Sequence, residues 1–374
     1  MAESFKRIVR VPTRRQLKRA DLKGKRVLVR FDYNVPTVGD EIEDTKRIEA
    51  TLPTIRAIVA GGASELNIIC HLGRPEGKQS PEFSTKPVAK ALASFVGVRF
   101  NPKAEKTDLP SPALATYYKV GDKVRVFENL RFDPGEEKNS SAFAKQLSTL
   151  GDVFVQDAFA NIHREHASMV AVAKLLPTYA GFLVENEINA LFRLLNQPDK
   201  PFVAIIGGAK FSDKLPIIEA LSKIADTVIV GGKTANEWLL DKHPKTGNVF
   251  LPADGINAHG GIVEISEKTL KGGIYDIGPQ TIMLFKSILA SARTIFWNGN
   301  LGMTENRKFV HGTYEIARQI VKLKAMKVAS GGNTAEVIDE LKLDKSFDFI
   351  STGGGATSDF IIGKKMPALE LLLK

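Results

Sequence analysis

The stretch Phe202-Val-Ala-Ile-Ile-Gly-Gly-Ala-Lys-Phe-Ser-Asp-Lys-Leu-Pro-Ile-Ile-Glu-Ala-Leu221 decides the fold class. Its first five residues are an apolar run of strand length, and Gly207 and Gly208 end that run with a turn signal. From there the period changes. Ile217, Leu221 and Ile224 recur at helical spacing, and Ser212 stands where an N-cap is expected. Strand, glycine turn and helix in succession mark a strand-helix-strand unit of a parallel sheet.

The same alternation runs outward in both directions. Apolar runs recur at 26–31, 66–70, 124–127 and 153–155, and again at 227–230, 294–297, 326–329 and 347–350. Between them Ile48, Leu52, Ile55 and Val59 keep helical spacing, as do Val88, Leu92 and Phe95, and these stripes are expected in the core. Near Pro177 to Pro201 the pattern shifts. Residues 185–196 read as one longer amphipathic helix, closed by the break Gln197-Pro-Asp-Lys-Pro201. The expectation is an α/β protein of two doubly wound parallel-sheet (Rossmann-like) domains: 1–180, a helix and linker at 181–200, and 201–362.

Length and composition agree with that division. At 374 residues, two domains are the natural partition. The 43% hydrophobic and 25% charged content is ordinary for a globular chain and excludes disordered, collagen-like and disulfide-scaffold classes. No apolar run approaches the roughly 18 to 20 residues that cross a bilayer, and the basic start Met1 to Lys18 lacks a signal peptide's apolar stretch. A cytoplasmic location with no membrane partner is expected, an organelle import signal being the alternative. The single cysteine, Cys70, leaves no internal disulfide and fits a reducing compartment. The net charge of +10 favours anionic partners. Neither clustered basic runs interleaved with aromatics nor a reader motif is present, so no nucleic acid is expected among them.

In open parallel sheets ligands bind beyond the carboxyl ends of the strands. There the two halves differ. Asp32 and Asn34 follow the first run, His71 and Arg74 the second, Arg131 the third, and Asp157, His163 and Arg164 the fourth, with Arg47 opening the first helix. Converging arginines make a cationic crevice suited to phosphate and carboxylate, which guanidinium binds bidentately. His71, His163 and His166 read as orienting groups, because the spacing of the last two is not that of a zinc helix. The second-half runs end instead in glycines: Gly207-Gly208, Gly231-Gly232, Gly331-Gly332 and Gly353-Gly354-Gly355. Glycine turns entering helices let phosphate approach backbone amides, and four of them point to a polyphosphate. Gly232-Lys233-Thr234 fails as a Walker A loop because Thr227 stands where the first glycine belongs, and no dinucleotide fingerprint occurs. An arginine crevice for a small anionic metabolite and glycine turns with Lys210 and Lys214 for a nucleotide phosphate are the layout of a phosphoryl transferase. No general base is required if the acceptor is an ionised carboxylate.

These same segments resemble the phosphoglycerate kinases. They are Arg26-Val-Leu-Val-Arg-Phe-Asp-Tyr-Asn-Val-Pro36, His71-Leu-Gly-Arg-Pro75, Glu128-Asn-Leu-Arg-Phe132, Asp157-Ala-Phe with His163-Arg164, Gly207-Gly-Ala-Lys-Phe-Ser-Asp-Lys214, Trp297-Asn-Gly299 and Ser351-Thr-Gly-Gly-Gly-Ala356. The resemblance implies two sheets facing a cleft, joined by a helix, with the tail 363–374 returning to the first domain. It implies a monomer and reversible phosphoryl transfer between 1,3-bisphosphoglycerate and ADP. Asp32, Asn34, Arg47, His71, Arg74, Arg131, His163 and Arg164 would hold the phosphoglycerate. Arg47, Lys210, Lys214, Gly332 and Gly354 would act on the moving phosphoryl group. Gly208, Ala209, Gly231, Gly232, Asn298, Asn300, Gly331, Asn333, Thr334, Gly353 and Gly355 would hold the nucleotide, with Glu305 at the ribose. Magnesium would arrive on the ADP or ATP, with Asn333 as its protein ligand.

The nucleotide half departs from the family's pattern. Asn333 replaces the expected aspartate, Lys233 a glycine and Asn300 a proline, and the segment 240–251 is shorter than the family's. An amide oxygen is a weaker ligand than a carboxylate for a hard cation. Lys233 is a candidate to supply the missing positive charge. The alternative reading is a weakly active or inactive paralogue that binds phosphoglycerate or another anion.

Overall fold

The computed structural model describes residues 15–244 and 247–373. Most of the basic start lies outside the described residues. Two compact units are formed, one by residues 15–189 with 365–373 and the other by Ala190–Lys364. The division falls within the helix Phe182–Asn196, which starts three residues before the expected Glu185.

The first unit holds a seven-stranded sheet in the order Glu105–Lys106, Thr116–Val120, Val124–Phe127, Glu65–Ile69, Arg26–Phe31, Val153–Asp157 and Thr178–Ala180. From Val124–Phe127 to Thr178–Ala180 every pair is parallel. Thr116–Val120 runs antiparallel to both neighbours, which the sequence reading did not anticipate. The chain enters at Arg26–Phe31, builds to one side and then crosses to Val153–Asp157. The order therefore reverses between these two strands, where Phe31 is in register with Asp157. Successive side chains of a strand point to opposite faces, and the first strand sorts accordingly. Val27, Val29 and Phe31 join a core with Ile55, Val88 and Leu92, while Leu28 joins Phe127, Leu147 and Phe154 on the other face. The C-terminal helix Pro367–Leu373 buries Leu372 and packs Leu371 on that second core.

The second unit holds six parallel strands in the order Val249–Phe250, Thr227–Val230, Phe202–Ile206, Thr294–Asn298, Met326–Ser330 and Phe349–Ser351. Its reversal point lies between Phe202–Ile206 and Thr294–Asn298. A small antiparallel sheet of Asp254–Asn257, Ile262–Glu264 and Ile274–Ile277 also appears, without a counterpart in the sequence reading. Among the described residues no helix is long and apolar enough to cross a membrane.

Two local expectations are corrected. The stripe from Ile48 to Val59 is not one helix but two, Lys46–Glu49 and Leu52–Ala60. The break shifts the helical phase, so Ile58 is buried and Val59 is 41% exposed. Ser212 is not a cap. The helix runs Phe211–Leu221 with Lys210 at its N-cap and Ser212 in its first turn.

Candidate active site

At the carboxyl ends of the first-unit strands, side chains grip one another. Arg47, on Lys46–Glu49, donates to an Asp32 carboxylate oxygen. Asn34 Oδ1 accepts the Gly73 N–H at 2.8 Å, and Arg131 donates to the Gly73 carbonyl at 2.6 Å. Arg131 Nε is also 3.1 Å from Glu137. Arg74 is exposed, and His163 and Arg164 are half-buried, Arg164 closing a turn on the Asn161 carbonyl.

Arg30 is the residue that sequence reasoning missed, because it lies inside a strand that reads as an apolar run. Buried, it donates to Ser168 Oγ at 3.1 Å, to His71 Nδ1 at 2.9 Å and to the Phe31 carbonyl. Ser168 in turn donates its hydroxyl and its N–H to the buried carboxylate of Glu136, at 2.6 and 2.9 Å. Burial works against that carboxylate, but His166, Arg30 and Ser168 outweigh it and hold its pKa below the ordinary range. His71 is the converse case. Burial, followed by the charges of Arg30, Arg131 and Arg164, holds its pKa well below the ordinary value, so its ring is the neutral acceptor of the Arg30 proton. Burial and the charges of Arg164 and Arg30 also depress Arg131, with Glu137 opposing. Arg30 and Arg131, whose charges are disfavoured by burial and by neighbouring guanidiniums, would be relieved by an anionic ligand. Asp157 does not join them. Its carboxylate accepts the Val184 N–H at 3.0 Å in the first turn of Phe182–Asn196, and burial pushes its pKa up to about 7.

The second unit answers with backbone. A recess of about 1240 Å³ lies at the carboxyl ends of its strands. All the expected nucleotide residues line it except Gly231 and Gly353. A Cβ at Gly231 would lie 2.4 Å from Leu301, so that glycine faces the core. The helices Phe211–Leu221, Gly232–Leu240 and Gly332–Glu340 all begin at the recess and turn the positive ends of their dipoles toward it, although the Phe211 N–H is taken by Glu237, the Gly232 N–H by the Leu301 carbonyl and the Thr234 N–H by the Gly208 carbonyl. Gly331, at φ +97°, turns the chain into the third helix through a conformation other residues rarely adopt.

At the reversal point the backbones nearly touch. Gly207 N–H donates to the Asn298 carbonyl and Gly208 N–H to that of Asn300, both at 2.9 Å. A Cβ on Gly299 would lie 2.2 Å from the Gly207 carbonyl oxygen. Lys214 donates to Asn298 Oδ1, and burial lowers its ammonium pKa. Lys210 is exposed at the rim. Asn300 donates to Thr304 Oγ1 at 2.6 Å, and Asn333 Nδ2 donates to Glu305 Oε1 at 3.2 Å. Lys233 has a 65% exposed side chain 3.5 Å from Glu237. Sequence reasoning missed the apolar lining of Ile217, Leu240, Tyr275 and Met303, of which Tyr275 belongs to the unanticipated small sheet. Where the short connection that follows Leu240 begins, Phe211, Trp238 and His243 pack edge to face with centroids 4.8 to 5.8 Å apart. Among the described residues no group of three or more His, Cys, Asp or Glu could hold a metal ion.

Comparison with known proteins places this architecture. A family model described as phosphoglycerate kinase matches residues 17–272 and 240–364. The phosphoglycerate kinase of Finegoldia magna is 37% identical over 393 residues, covering 96% of this chain and 99% of its own. That of Thermus thermophilus is 38% identical over 388 residues, covering 94% and 98%. Among solved structures, phosphoglycerate kinase from Coxiella burnetii superposes with a TM-score of 0.82 at 33% identity, covering 96% of this chain and 98% of that one.

Proposed function

The chain belongs to the phosphoglycerate kinase family, and from that premise we propose which residues carry its reaction. The enzyme transfers a phosphoryl group reversibly between 1,3-bisphosphoglycerate and ADP, giving 3-phosphoglycerate and ATP. In that direction an oxygen of the ADP β-phosphate attacks the acyl phosphorus. The bond from phosphorus to the carboxyl oxygen breaks, and its electron pair stays on the carboxylate. No proton moves, so the residues position ligands and stabilise charge.

In the first unit Asp32, Asn34, His71, Arg74, Arg131, His163 and Arg164 bind phosphoglycerate, with Arg47 beside its carboxyl end. Arg30, Ser168 and Glu136 position them. The observation that carries this assignment is the buried chain from Glu136 through Ser168 and Arg30 to a neutral His71. Neutral His71 can donate from Nε2 without adding to a site already crowded with cations. In the second unit the amides at Gly332 and Gly354 receive the nucleotide phosphates, Lys210 and Lys214 neutralise the phosphoryl in transit, and Glu305 holds the ribose. Tyr275 and Met303 cover the base. Magnesium would neutralise phosphate charge, and the residues fit a cation carried by the nucleotide: Asn333 offers one amide oxygen beside the Glu305 carboxylate, and no cage is present among the described residues. We take the working form to be a cytoplasmic monomer.

Kinetics of Arg131→Met and Lys214→Met test the division of labour. The first should raise KM for 3-phosphoglycerate and spare that for ATP; the second should lower kcat by about 10²-fold or more. An Arg131→Met enzyme altered only toward ATP overturns the assignment.

A further inference from the structure

We propose that the second unit carries a separate site for a small multivalent phosphate anion, at the amino ends of its sheet strands. A recess of about 830 Å³ opens there, and Arg193, Lys200, Arg293, Lys324, Lys327 and Lys345 line it against two carboxylates, Asp199 and Asp348. Both carboxylates are engaged. Asp199 lies 3.8 Å from Arg193, and Asp348 accepts the Lys327 backbone N–H at 2.7 Å. Lys200 is also engaged, pairing with Asp226 at 3.2 Å and donating to the Ile224 carbonyl.

The other four cations are not neutralised. Arg293, Lys324 and Lys345 are exposed and have no ion-pair partner among the described residues. Lys327 is only 9% exposed, yet among the described residues its ammonium donates to nothing but the Ala325 carbonyl, at 3.2 Å. Lysines are rarely so buried without a paired charge. Like charges gathered in a concavity concentrate a positive potential that a phosphate of charge −2 or more relieves, and Arg293 can grip such a group bidentately. Ser346 adds a hydroxyl to the lining, and Leu323, Met326 and Phe347 add apolar surface. A recess of this volume suits a small molecule. It cannot share a ligand with the nucleotide recess. The strands between them are up to five residues long, roughly 16 Å at about 3.3 Å per residue.

The probe is inorganic tripolyphosphate, titrated calorimetrically into the full-length enzyme saturated with 3-phosphoglycerate and a non-hydrolysable ATP analogue, so that both substrate sites are filled. One further binding event is expected. The triple variant Arg293→Ser, Lys324→Ser, Lys345→Ser should weaken it at least tenfold while kinase turnover and melting temperature stay at wild-type values. Removing three exposed lysines elsewhere, Lys123, Lys145 and Lys174 to Ser, should leave it unchanged. Absence of the extra event, equal loss in the control variant, or an undiminished event in the triple variant overturns the proposal. So does a single-stranded oligonucleotide that displaces tripolyphosphate at a far lower concentration, which would make the recess a nucleic-acid surface.

Discussion

The two units offer different chemistry at the carboxyl ends of their strands. In the first, charged side chains are held through a buried hydrogen-bonded row that runs from Glu136 to His71. In the second, backbone at glycine turns leads into the helices Gly232–Leu240 and Gly332–Glu340. The difference concerns what a substitution can destroy. A side-chain site loses charge and geometry locally when one residue changes. A backbone contact, unlike the lysines beside it, has no side chain to lose, but is sensitive to any Cβ that holds its turns apart.

The largest effect should come from the side-chain unit. Arg47→Ala removes the cation proposed to stabilise the transferring group, and kcat should fall about 10³-fold with the fold intact by circular dichroism; a fall below tenfold would remove Arg47 from the reaction. The backbone unit breaks differently. Gly299→Ala forces a Cβ to 2.2 Å from the Gly207 oxygen at φ +93°, and should cost about 3 to 5 kcal/mol in denaturant unfolding. ATP binding should be lost while 3-phosphoglycerate still binds, and simultaneous loss of both would show that the units do not fail separately.

A smaller effect compares one buried carboxyl in each unit. Burial raises Asp157 and Asp276 alike to about 7, against ordinary values near 4. Each binds its proton more tightly folded than unfolded, so stability falls as pH rises from about 4 to about 7 and levels off above. Asp157→Asn should roughly halve that slope in melting temperature against pH; an unchanged slope would assign it elsewhere. The smallest effect is at the departures in the nucleotide recess. Asn333→Asp replaces an amide that donates to Glu305 by a second carboxylate, and the magnesium concentration at half-maximal rate should shift several-fold with little change in kcat. A collapse of kcat would mean that the amide itself is needed.

The long parallel strands and the residues just past their ends were legible because burial on both faces leaves an unbroken apolar run. What the sequence hid has physical reasons. Arg30 sits inside such a run, and nothing local distinguishes a strand arginine that is buried and paired from one that is solvated. Glu136 and Ser168 lie far from it in sequence and meet it only through the fold. The break after Glu49 shifted a helical phase that spacing alone reads as continuous, exchanging Ile58 for Val59. Thr116–Val120 and the small antiparallel sheet are short and partly exposed, without the continuous apolar signal of a central strand. Tyr275 was lost with them.

The return of Pro367–Leu373 to the first unit sets an order of events during synthesis. Residues 15–189 leave the ribosome first, but their apolar face against Leu371 stays uncovered until the last helix is made. The 175 residues of Ala190–Lys364 are translated in between. At about 5 to 20 residues per second that is a wait on the order of ten to thirty-five seconds. The unit made first is therefore the last completed, and throughout that interval its second core lacks the cover that Leu371 and Leu372 supply.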